Sequence, residues 1–226
     1  MRVVTSGYRI PFSSEPPAYH RQHNSPDLRL HRDQAWDALS KDMAHGAVLP
    51  CDLPTQGLPV VVSPVRTAPK GWRTGKRRFV INMRYLNALI PEEASSCEME
   101  DLHSVRNMLC FQQGQPSWFV SMDLASGYHN FWVHRTQWKY MGFALHTTEL
   151  PPAAVAMLHE KFPGSFHSPS GNFYFIMRAL PFGLATSCAV FSDVVTALTA
   201  AWRRHRVCGE PLRLTSYIDD YLGVLR

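Results

Sequence analysis

The sequence predicts an α+β fold, and its composition and two kinds of apolar pattern support this prediction. Its 226 residues are 45% apolar and 18% charged, which is enough to bury the core of one large domain or two small ones. Apolar side chains recur at helical spacing in the segments 32–45 and 187–205. Short runs rich in valine, isoleucine and phenylalanine, which are typical of strands, lie outside these segments. The chain is therefore expected to combine helices with a sheet.

The first 30 residues are predicted to form an extended arm on the surface. Their prolines stand among serine, histidine and arginine, and proline cannot donate the backbone hydrogen bond that regular elements use. A helix is predicted from Arg32 to His45, because Trp36, Leu39 and Met43 share one face and Gly46 provides a stop.

A β-hairpin with a basic tip is predicted next. Strand-like runs at 58–66 and 79–83 flank a segment that contains two glycines. The tip carries five positive charges, at Lys70, Arg73, Lys76, Arg77 and Arg78. A solvated turn without a ligand is the plain alternative to a binding role.

The middle of the chain gives weaker patterns. A short helix is predicted over 100–109, and a buried strand over Trp118–Asp123 that ends on an acid. Prolines bracket the segment 147–170, which is predicted to be an insertion or a long loop. Residues 172–177 are β-like, although their apolar residues alternate poorly.

The C-terminal part predicts a long helix and a hairpin. The helix runs from Ser187 to His205 and is followed by strands at 212–218 and 221–225, with Asp219 and Asp220 at the tight connection between them. Four apolar residues of the helix recur every four positions and are predicted to face the core: Val190, Val194, Leu198 and Trp202.

Charge and cysteine usage exclude several classes of protein. The 23 Lys and Arg against 18 Asp and Glu give a net charge of +5, which favours a polyanionic partner without requiring one. The five cysteines form no Cys-x-x-Cys pair, which argues against a disulfide framework and a structural zinc site. No run approaches the roughly 18 to 20 apolar residues of a membrane span, and the start is too polar for a signal peptide. We therefore expect no membrane contact and an intracellular location, cytoplasmic or nuclear.

Paired acids are the strongest chemical signal in the sequence. Adjacent carboxylates repel one another unless a cation lies between them, and aspartate is depleted in strands. Asp123 can supply a third carboxylate if its strand neighbours that of Asp219 and Asp220. Three carboxylates suit two Mg²⁺ ions about 3.5 to 4 Å apart. For the Asp-Asp dipeptide alone, an ordinary surface turn is the stronger interpretation.

Four motifs in a fixed order favour the metal site over the surface turn. They are Arg78–Asn87, Asp123–His129, the Pro-Phe-Gly-Leu segment Leu180–Phe191, and Tyr-Ile-Asp-Asp at Tyr217–Asp220. In this order they resemble the fingers arginine motif, the first aspartate box, the Pro-Phe-Gly-Leu segment and the Tyr-x-Asp-Asp box of reverse transcriptases. The stretches 7–12 and 139–143 are most similar to retrotransposons of the DIRS type, which encode a tyrosine recombinase, and the chain as a whole also resembles LTR-type elements.

The resemblance implies a role for each matched residue around the metal ions. Asp123 and Asp219 would bind two Mg²⁺ ions, or Mn²⁺ in their place, with Asp220 assisting and the carbonyl of Leu124 as a further ligand. Tyr128 would lie beneath the nucleotide sugar and exclude a 2′-hydroxyl, and a core tyrosine is the alternative.

The same resemblance assigns contacts with the nucleotide and the template. Phe182 and Gly183 would lie against the incoming base and the template, with a plain helix-entry turn as the alternative. The triphosphate would be held by Lys70, Lys76 and Arg78. Further contacts with nucleic acid are expected from Arg73 and Arg77.

The implied architecture is that of the fingers and palm of a right-hand polymerase, with an antiparallel palm sheet backed by helices. The fingers would comprise 31–100 and 131–178, and the palm 101–130 and 179–226. The sequence ends six residues after Asp220, so the thumb and any RNase H domain are expected to be absent. The implied reaction is Mg²⁺-dependent transfer of a dNMP from a dNTP to a primer 3′-hydroxyl on an RNA or DNA template. Recombinase or integrase domains would belong to a parent polyprotein.

Two other functions stay open beside this one. A catalytically silent remnant, which only binds nucleic acid or persists as a folded fragment, is favoured by the short C-terminal part. The three intact aspartates favour the polymerase. An RNA-dependent RNA polymerase is disfavoured, because Tyr128 fits a barrier against ribonucleotides.

Overall fold

The computed structural model of the chain describes residues 6–20, 23–71, 75–97, 103, 106–107, 118–124, 127–204, 206–207, 210–211, 213–217 and 220–225. The chain divides into two compact units, each built from two stretches. Unit 1 comprises Met1–Pro91 and His129–Ala185, and unit 2 comprises Glu92–Tyr128 and Thr186–Arg226. The predicted helix at 100–109 lies largely outside the described residues.

The helices are α1 Asp27–Leu30, α2 Arg32–Ala44, α3 Leu53–Gln56, α4 Arg84–Asn87, α5 Pro152–Lys161 and α6 Ala185–Arg203. The strands are β1 Tyr19–His20, β2 Val48–Pro50, β3 Val61–Ser63, β4 Val65–Pro69, β5 Arg77–Ile81, β6 Trp118–Asp123, β7 Gly142–His146, β8 Phe166–His167, β9 Asn172–Met177, β10 Arg206–Val207, β11 Glu210–Pro211, β12 Arg213–Tyr217 and β13 Asp220–Leu225. Short 3₁₀ turns cover Glu92–Ser95, Gly127–Asn130, Arg135–Tyr140, Thr147–Glu149 and Pro163–Ser165.

The core of unit 1 forms around a mixed sheet. Strands β1, β3, β7, β9 and β2 lie side by side in this order, and β8 also pairs with β9. Phe143 of β7 pairs with Phe175 of β9 across the antiparallel ladder, and their buried rings stack at 5.3 Å. Five consecutive residues of β9, from Phe173 to Met177, are buried. Burial on both faces explains why this strand shows poor alternation in the sequence.

The predicted basic hairpin is present as the antiparallel pair β4 and β5. The first strand-like run is not one strand, because it divides at Pro64 into β3, which joins the mixed sheet, and β4, which joins the hairpin. Proline has no N–H to continue a ladder, which favours a break at this position. The carbonyl of Pro64 still accepts a hydrogen bond from the backbone N–H of Asn82 at 2.8 Å.

The prediction of an extended surface arm for the first 30 residues is wrong in part. Ile10 and Leu28 are buried, and β1 pairs in parallel with β3. The Asn24 amide donates to the Ala144 carbonyl and to the Glu149 carboxylate, both at 2.8 Å, and its oxygen accepts from the Val65 N–H at 2.8 Å. Such long-range bonds satisfy backbone and side-chain groups of a proline-rich segment that lacks regular ladders.

The predicted loop at 147–170 is also wrong. It contains helix α5, whose Ala154 and Leu158 are buried. A proline occupies the first turn of α5, where its missing N–H costs nothing because that N–H has no helical partner. Pro151 and Pro152, two of the prolines that suggested a loop, therefore mark a helix start instead.

Unit 2 contains a sheet of three strands and helix α6. Strand β13 lies between β12 and β6, and both pairs are antiparallel, as predicted for the acidic hairpin. The predicted core stripe of α6 is partly wrong: Leu198 is 38% exposed, whereas Phe191, Val195 and Thr199 are buried. The Thr199 hydroxyl donates to the Val195 carbonyl at 2.8 Å and lies 3.1 Å from Ser216 Oγ, so a polar residue occupies the buried face.

Within the described part of the chain, α6 is the one helix with the length and apolar composition of a membrane span. Of its apolar window, 39% is buried inside the protein. Its buried face includes Thr186, Ser187 and Thr199, and the Thr199 hydroxyl lies 3.1 Å from Ser216 Oγ.

Candidate functional site

The strands that carry the predicted acids are neighbours in the sheet of unit 2. Asp220 is the first residue of β13, and it pairs with Asp123 of β6 on one side and with Tyr217 of β12 on the other. The pairing of Tyr217 with Asp220 confirms a tight connection, but Asp220 belongs to the strand and not to the connection as predicted. Asp219 lies outside the described residues. Strand register thus brings the two acidic motifs to adjacent backbone positions although they are far apart in the sequence.

The donor types at this point of the sheet suit a divalent cation. Carboxylate oxygens and a backbone carbonyl are the ligands that Mg²⁺ and Mn²⁺ take in proteins, and Leu124 follows β6 directly. Among the side chains that the structure describes, no cluster of three His, Cys, Asp or Glu could hold a metal ion. Those side chains do not include the carboxylates of Asp123, Asp219 and Asp220. The residue types and the register of Asp123 and Asp220 are therefore compatible with a divalent cation at this position.

Tyr128 lies in unit 2, in the 3₁₀ turn Gly127–Asn130 at the end of the Asp123–His129 motif. Its half-buried ring meets the buried ring of Phe191 edge to face, with centroids 5.2 Å apart and planes at 81°. Edge-to-face packing fixes the plane of an aromatic ring. Tyr128 is therefore held against α6 while part of its surface stays exposed.

The basic hairpin of unit 1 has two different faces. Because side chains alternate along a strand, Arg66 and Arg78 share one face and are exposed, whereas Arg77 lies on the other. Arg66 belongs to none of the sequence motifs, and its place opposite Val80 and beside Arg78 becomes visible only with the register. At the tip, the backbone N–H of Lys70 donates to the Lys76 carbonyl at 2.7 Å. Arg73 lies outside the described residues.

Arg77 contacts Asp27 and Thr67 within unit 1. Its guanidinium lies 3.3 Å from the Asp27 carboxylate, and its Nε donates to Thr67 Oγ1 at 2.8 Å. Burial of Asp27 opposes its ionisation, but hydrogen bonds from Ser25, Thr67 and Arg77 outweigh that effect and lower its pKa to about 2. The structure thus gives Arg77 an internal partner, and its contact with nucleic acid stays a prediction.

The Pro-Phe-Gly-Leu segment forms a turn before helix α6. Gly183 has φ +91°, which L-residues with a side chain rarely adopt, and a Cβ there would meet its nearest atom, the Ile81 carbonyl oxygen, at 3.9 Å. Backbone conformation rather than crowding therefore requires glycine. Phe182 is 47% exposed, and its ring lies 6.0 Å from the His129 ring.

Asn87, which the sequence motifs leave without a role, contacts this turn. The Asn87 side-chain amide donates to the Gly183 carbonyl at 2.8 Å and accepts from the Ala185 N–H at 2.9 Å. Asn87 ends the fingers motif in the sequence, but a single sequence contains no signal that the two segments meet.

A family profile described as reverse transcriptase (RNA-dependent DNA polymerase) matches residues 68–225, which is more than two thirds of the chain. No curated protein matches the chain. Among solved structures, native prototype foamy virus protease-reverse transcriptase is similar with a TM-score of 0.60 and 17% identity, over 96% of this chain and 22% of that one.

A second foamy viral structure, the protease-reverse transcriptase dRH in complex with double-stranded DNA, has a TM-score of 0.58 and 14% identity. The match covers 96% of this chain and 29% of that one. The chain therefore spans less than a third of the length of these proteins, and at such identities the likeness shows the fold. The α+β fold expected from the sequence is confirmed.

Proposed function

Because the chain belongs to the reverse transcriptase (RNA-dependent DNA polymerase) family, we propose that it catalyses nucleotidyl transfer in RNA-directed DNA synthesis. The predicted family is thereby confirmed. Its placement among DIRS-type or LTR-type retrotransposons, with an intracellular site of action and further domains in a parent polyprotein, is part of the proposal.

The proposed reaction is attack of a primer 3′-hydroxyl on the α-phosphate of a dNTP, which releases pyrophosphate. Asp123 and Asp219 would hold two Mg²⁺ ions, with Asp220 and the Leu124 carbonyl as further oxygen ligands. When bound, such ions activate the attacking hydroxyl and stabilise the leaving pyrophosphate. The observation that supports this role best is the register of unit 2, in which Asp220 pairs with Asp123.

The exposed face of the basic hairpin would contribute phosphate contacts. Arg78 would bind the triphosphate together with Lys70 and Lys76, because a guanidinium group can donate two hydrogen bonds to phosphate oxygens. Arg66 shares the face of Arg78 and would add charge for the template backbone. Arg73 and Arg77 are proposed as further contacts with nucleic acid.

Two apolar contacts would select the nucleotide. Tyr128 would exclude a 2′-hydroxyl, and its packing on Phe191 supports this role because a fixed ring gives a defined steric limit. Phe182 and Gly183 would lie against the incoming base and the template. The exposed ring of Phe182 and the open space around Gly183 are compatible with such contacts.

Primer extension tests the proposal. The purified chain is mixed with a labelled DNA primer on an RNA template, Mg²⁺ and dNTPs, and compared with an Asp219→Asn variant. We expect template-directed addition by the unchanged chain and a loss of at least a hundredfold in the variant. Binding of the primer–template without any addition would contradict the proposal and favour a silent, nucleic-acid-binding remnant.

A further inference from the structure

We infer that Asn87 is a positioning residue, which fixes the turn Phe182–Gly183 for contact with nucleotide and template. The inference rests on the proposed function. It concerns a side chain that acts through the turn and not as a metal ligand.

Two hydrogen bonds carry the inference, and they lie on either side of Leu184. The Asn87 Nδ2 group donates to the Gly183 carbonyl at 2.8 Å, and Oδ1 accepts from the backbone N–H of Ala185 at 2.9 Å. The second bond satisfies an N–H in the first turn of α6, where helical N–H groups have no partner within the helix. One amide therefore holds both the end of the turn and the start of the helix.

The backbone of the turn Phe182–Gly183 is only weakly constrained by its own hydrogen bonds. Gly183 adopts φ +91°, and a glycine has the largest choice of backbone conformations of any residue. The local bond from the Leu184 N–H to the Pro181 carbonyl is long, at 3.5 Å. Two shorter bonds to Asn87 therefore fix this backbone more firmly than its local bond does.

Asn87 is itself well anchored. It ends helix α4, where its N–H donates to the Met83 carbonyl at 2.8 Å, and its neighbour Leu86 is fully buried. The chain reaches α4 directly from β5, the strand of Arg78. The same short stretch of unit 1 thus carries the proposed triphosphate contact and fixes the proposed base contact.

The amide group is chemically required at this position. Asparagine offers a donor and an acceptor on one rigid group, whereas aspartate offers acceptors alone and alanine offers neither. An Asn87→Asp variant therefore keeps the bond to the Ala185 N–H and loses the bond to the Gly183 carbonyl. An Asn87→Ala variant loses both.

The test combines hydrogen exchange with steady-state kinetics in three variants. The matched control is Asn82→Ala, because Asn82 accepts one local bond from the Arg84 N–H at 3.1 Å and belongs to the same motif. Exchange is followed by mass spectrometry in peptides that contain Ala185. Single-nucleotide addition gives KM for the dNTP and kcat, and a thermal melt verifies that each variant is folded.

For Asn87→Ala we expect faster exchange at Ala185 and a KM about tenfold higher, with kcat changed by no more than about twofold. Asn87→Asp should raise KM while exchange at Ala185 stays close to that of the unchanged chain. Asn82→Ala should change neither quantity. This separation of KM from kcat distinguishes positioning from a general loss of folded protein, which would lower the apparent kcat.

Two results would overturn the inference in different ways. Normal KM in a folded Asn87→Ala protein that still extends primers contradicts the positioning role alone. Failure of the unchanged chain to add any nucleotide contradicts the proposed function, and the positioning role is then lost with it even if exchange at Ala185 responds to the substitution.

Discussion

The two units fix their candidate functional residues by different means. In unit 2, the acidic positions are set by strand register, since Asp220 pairs with Asp123 through the backbone ladder. In unit 1, side chains hold distant segments together, as Asn24 does for β4 and β7, and Asn87 for the turn before α6. A substitution in the acidic motifs should therefore remove catalytic activity and leave the fold intact. A substitution of the side chains that link distant segments of unit 1, such as Asn24 and Asn87, should change stability or binding first.

The largest effect is expected from the acids of unit 2. Asp123→Asn or Asp219→Asn should lower the rate of nucleotide addition by about a hundredfold to a thousandfold or more, because each removes the charge of a proposed metal ligand. The free energy of unfolding should stay the same or rise, since repulsion between carboxylates is relieved. Single-turnover addition and urea unfolding measure the two quantities. Asp193→Asn, an exposed acid on α6, serves as the control, and near-normal addition by Asp219→Asn would refute the assignment.

The next effect concerns sugar selection by Tyr128. Tyr128→Ala removes the ring that packs on Phe191, and the preference for dNTP over rNTP should fall about tenfold to a hundredfold. Tyr128→Phe keeps the ring and should keep the preference. The ratio of kcat/KM for dNTP to kcat/KM for rNTP measures this preference. Equal losses for both sugars would mean that Tyr128 is a packing residue of unit 2.

The two longest helices, α2 and α6, and the strands β4, β5, β6, β9, β12 and β13 were predictable, because they depend on local periodicity. Helix α5 and strands such as β2 and β7 were not predicted. The bounds of β6 agree with the prediction, and so does the hairpin that contains Asp220. The proline-rich start was not predictable, since Asn24 makes its bonds with residues more than 40 positions away. For the site, motif order identified the acids, whereas Arg66 and Asn87 needed register and tertiary contact. The buried face of α6 was misjudged because an apolar pattern overlooks Thr199.

A stability effect is expected from Asp27 in unit 1. Hydrogen bonds from Ser25, Thr67 and Arg77 outweigh burial and lower its pKa from 3.8 to about 2. A lowered folded-state pKa stabilises the protein above the unfolded pKa, and this contribution is lost as the pH falls from about 4 to about 2. It amounts to about 2 kcal/mol at neutral pH.

Asp27→Asn should therefore lower the free energy of unfolding by about 1 to 2 kcal/mol at pH 7. The difference from the unchanged chain should shrink as the pH falls towards 2. Urea unfolding across this pH range measures it, with the exposed Asp33→Asn as the control. A difference in the free energy of unfolding that is independent of pH would show that the charge of Asp27 does not contribute to stability.

The smallest effect separates the two faces of the basic hairpin. Arg66→Gln should weaken binding of a primer–template about twofold to tenfold and reduce the salt dependence by about one counterion, without a change in stability. Arg77→Gln should lower stability, because Arg77 contacts Asp27 and Thr67. Filter binding over a salt series and urea unfolding compare the variants. A loss of binding by Arg77→Gln equal to that of Arg66→Gln would support the sequence-based prediction that Arg77 also contacts nucleic acid.

We propose that Asp123 and the Asp219–Asp220 pair form one metal site, which the pairing of Asp220 with Asp123 supports. Cleavage of the protein backbone by bound Fe²⁺, with ascorbate and peroxide as the reagents, tests it most directly because it needs no catalytic activity. We expect cleavage close to both 123 and 219–220, suppression of both by excess Mg²⁺, and loss of both in Asp123→Asn. Cleavage at one motif alone, or at both but unaffected by Asp123→Asn, would contradict the account.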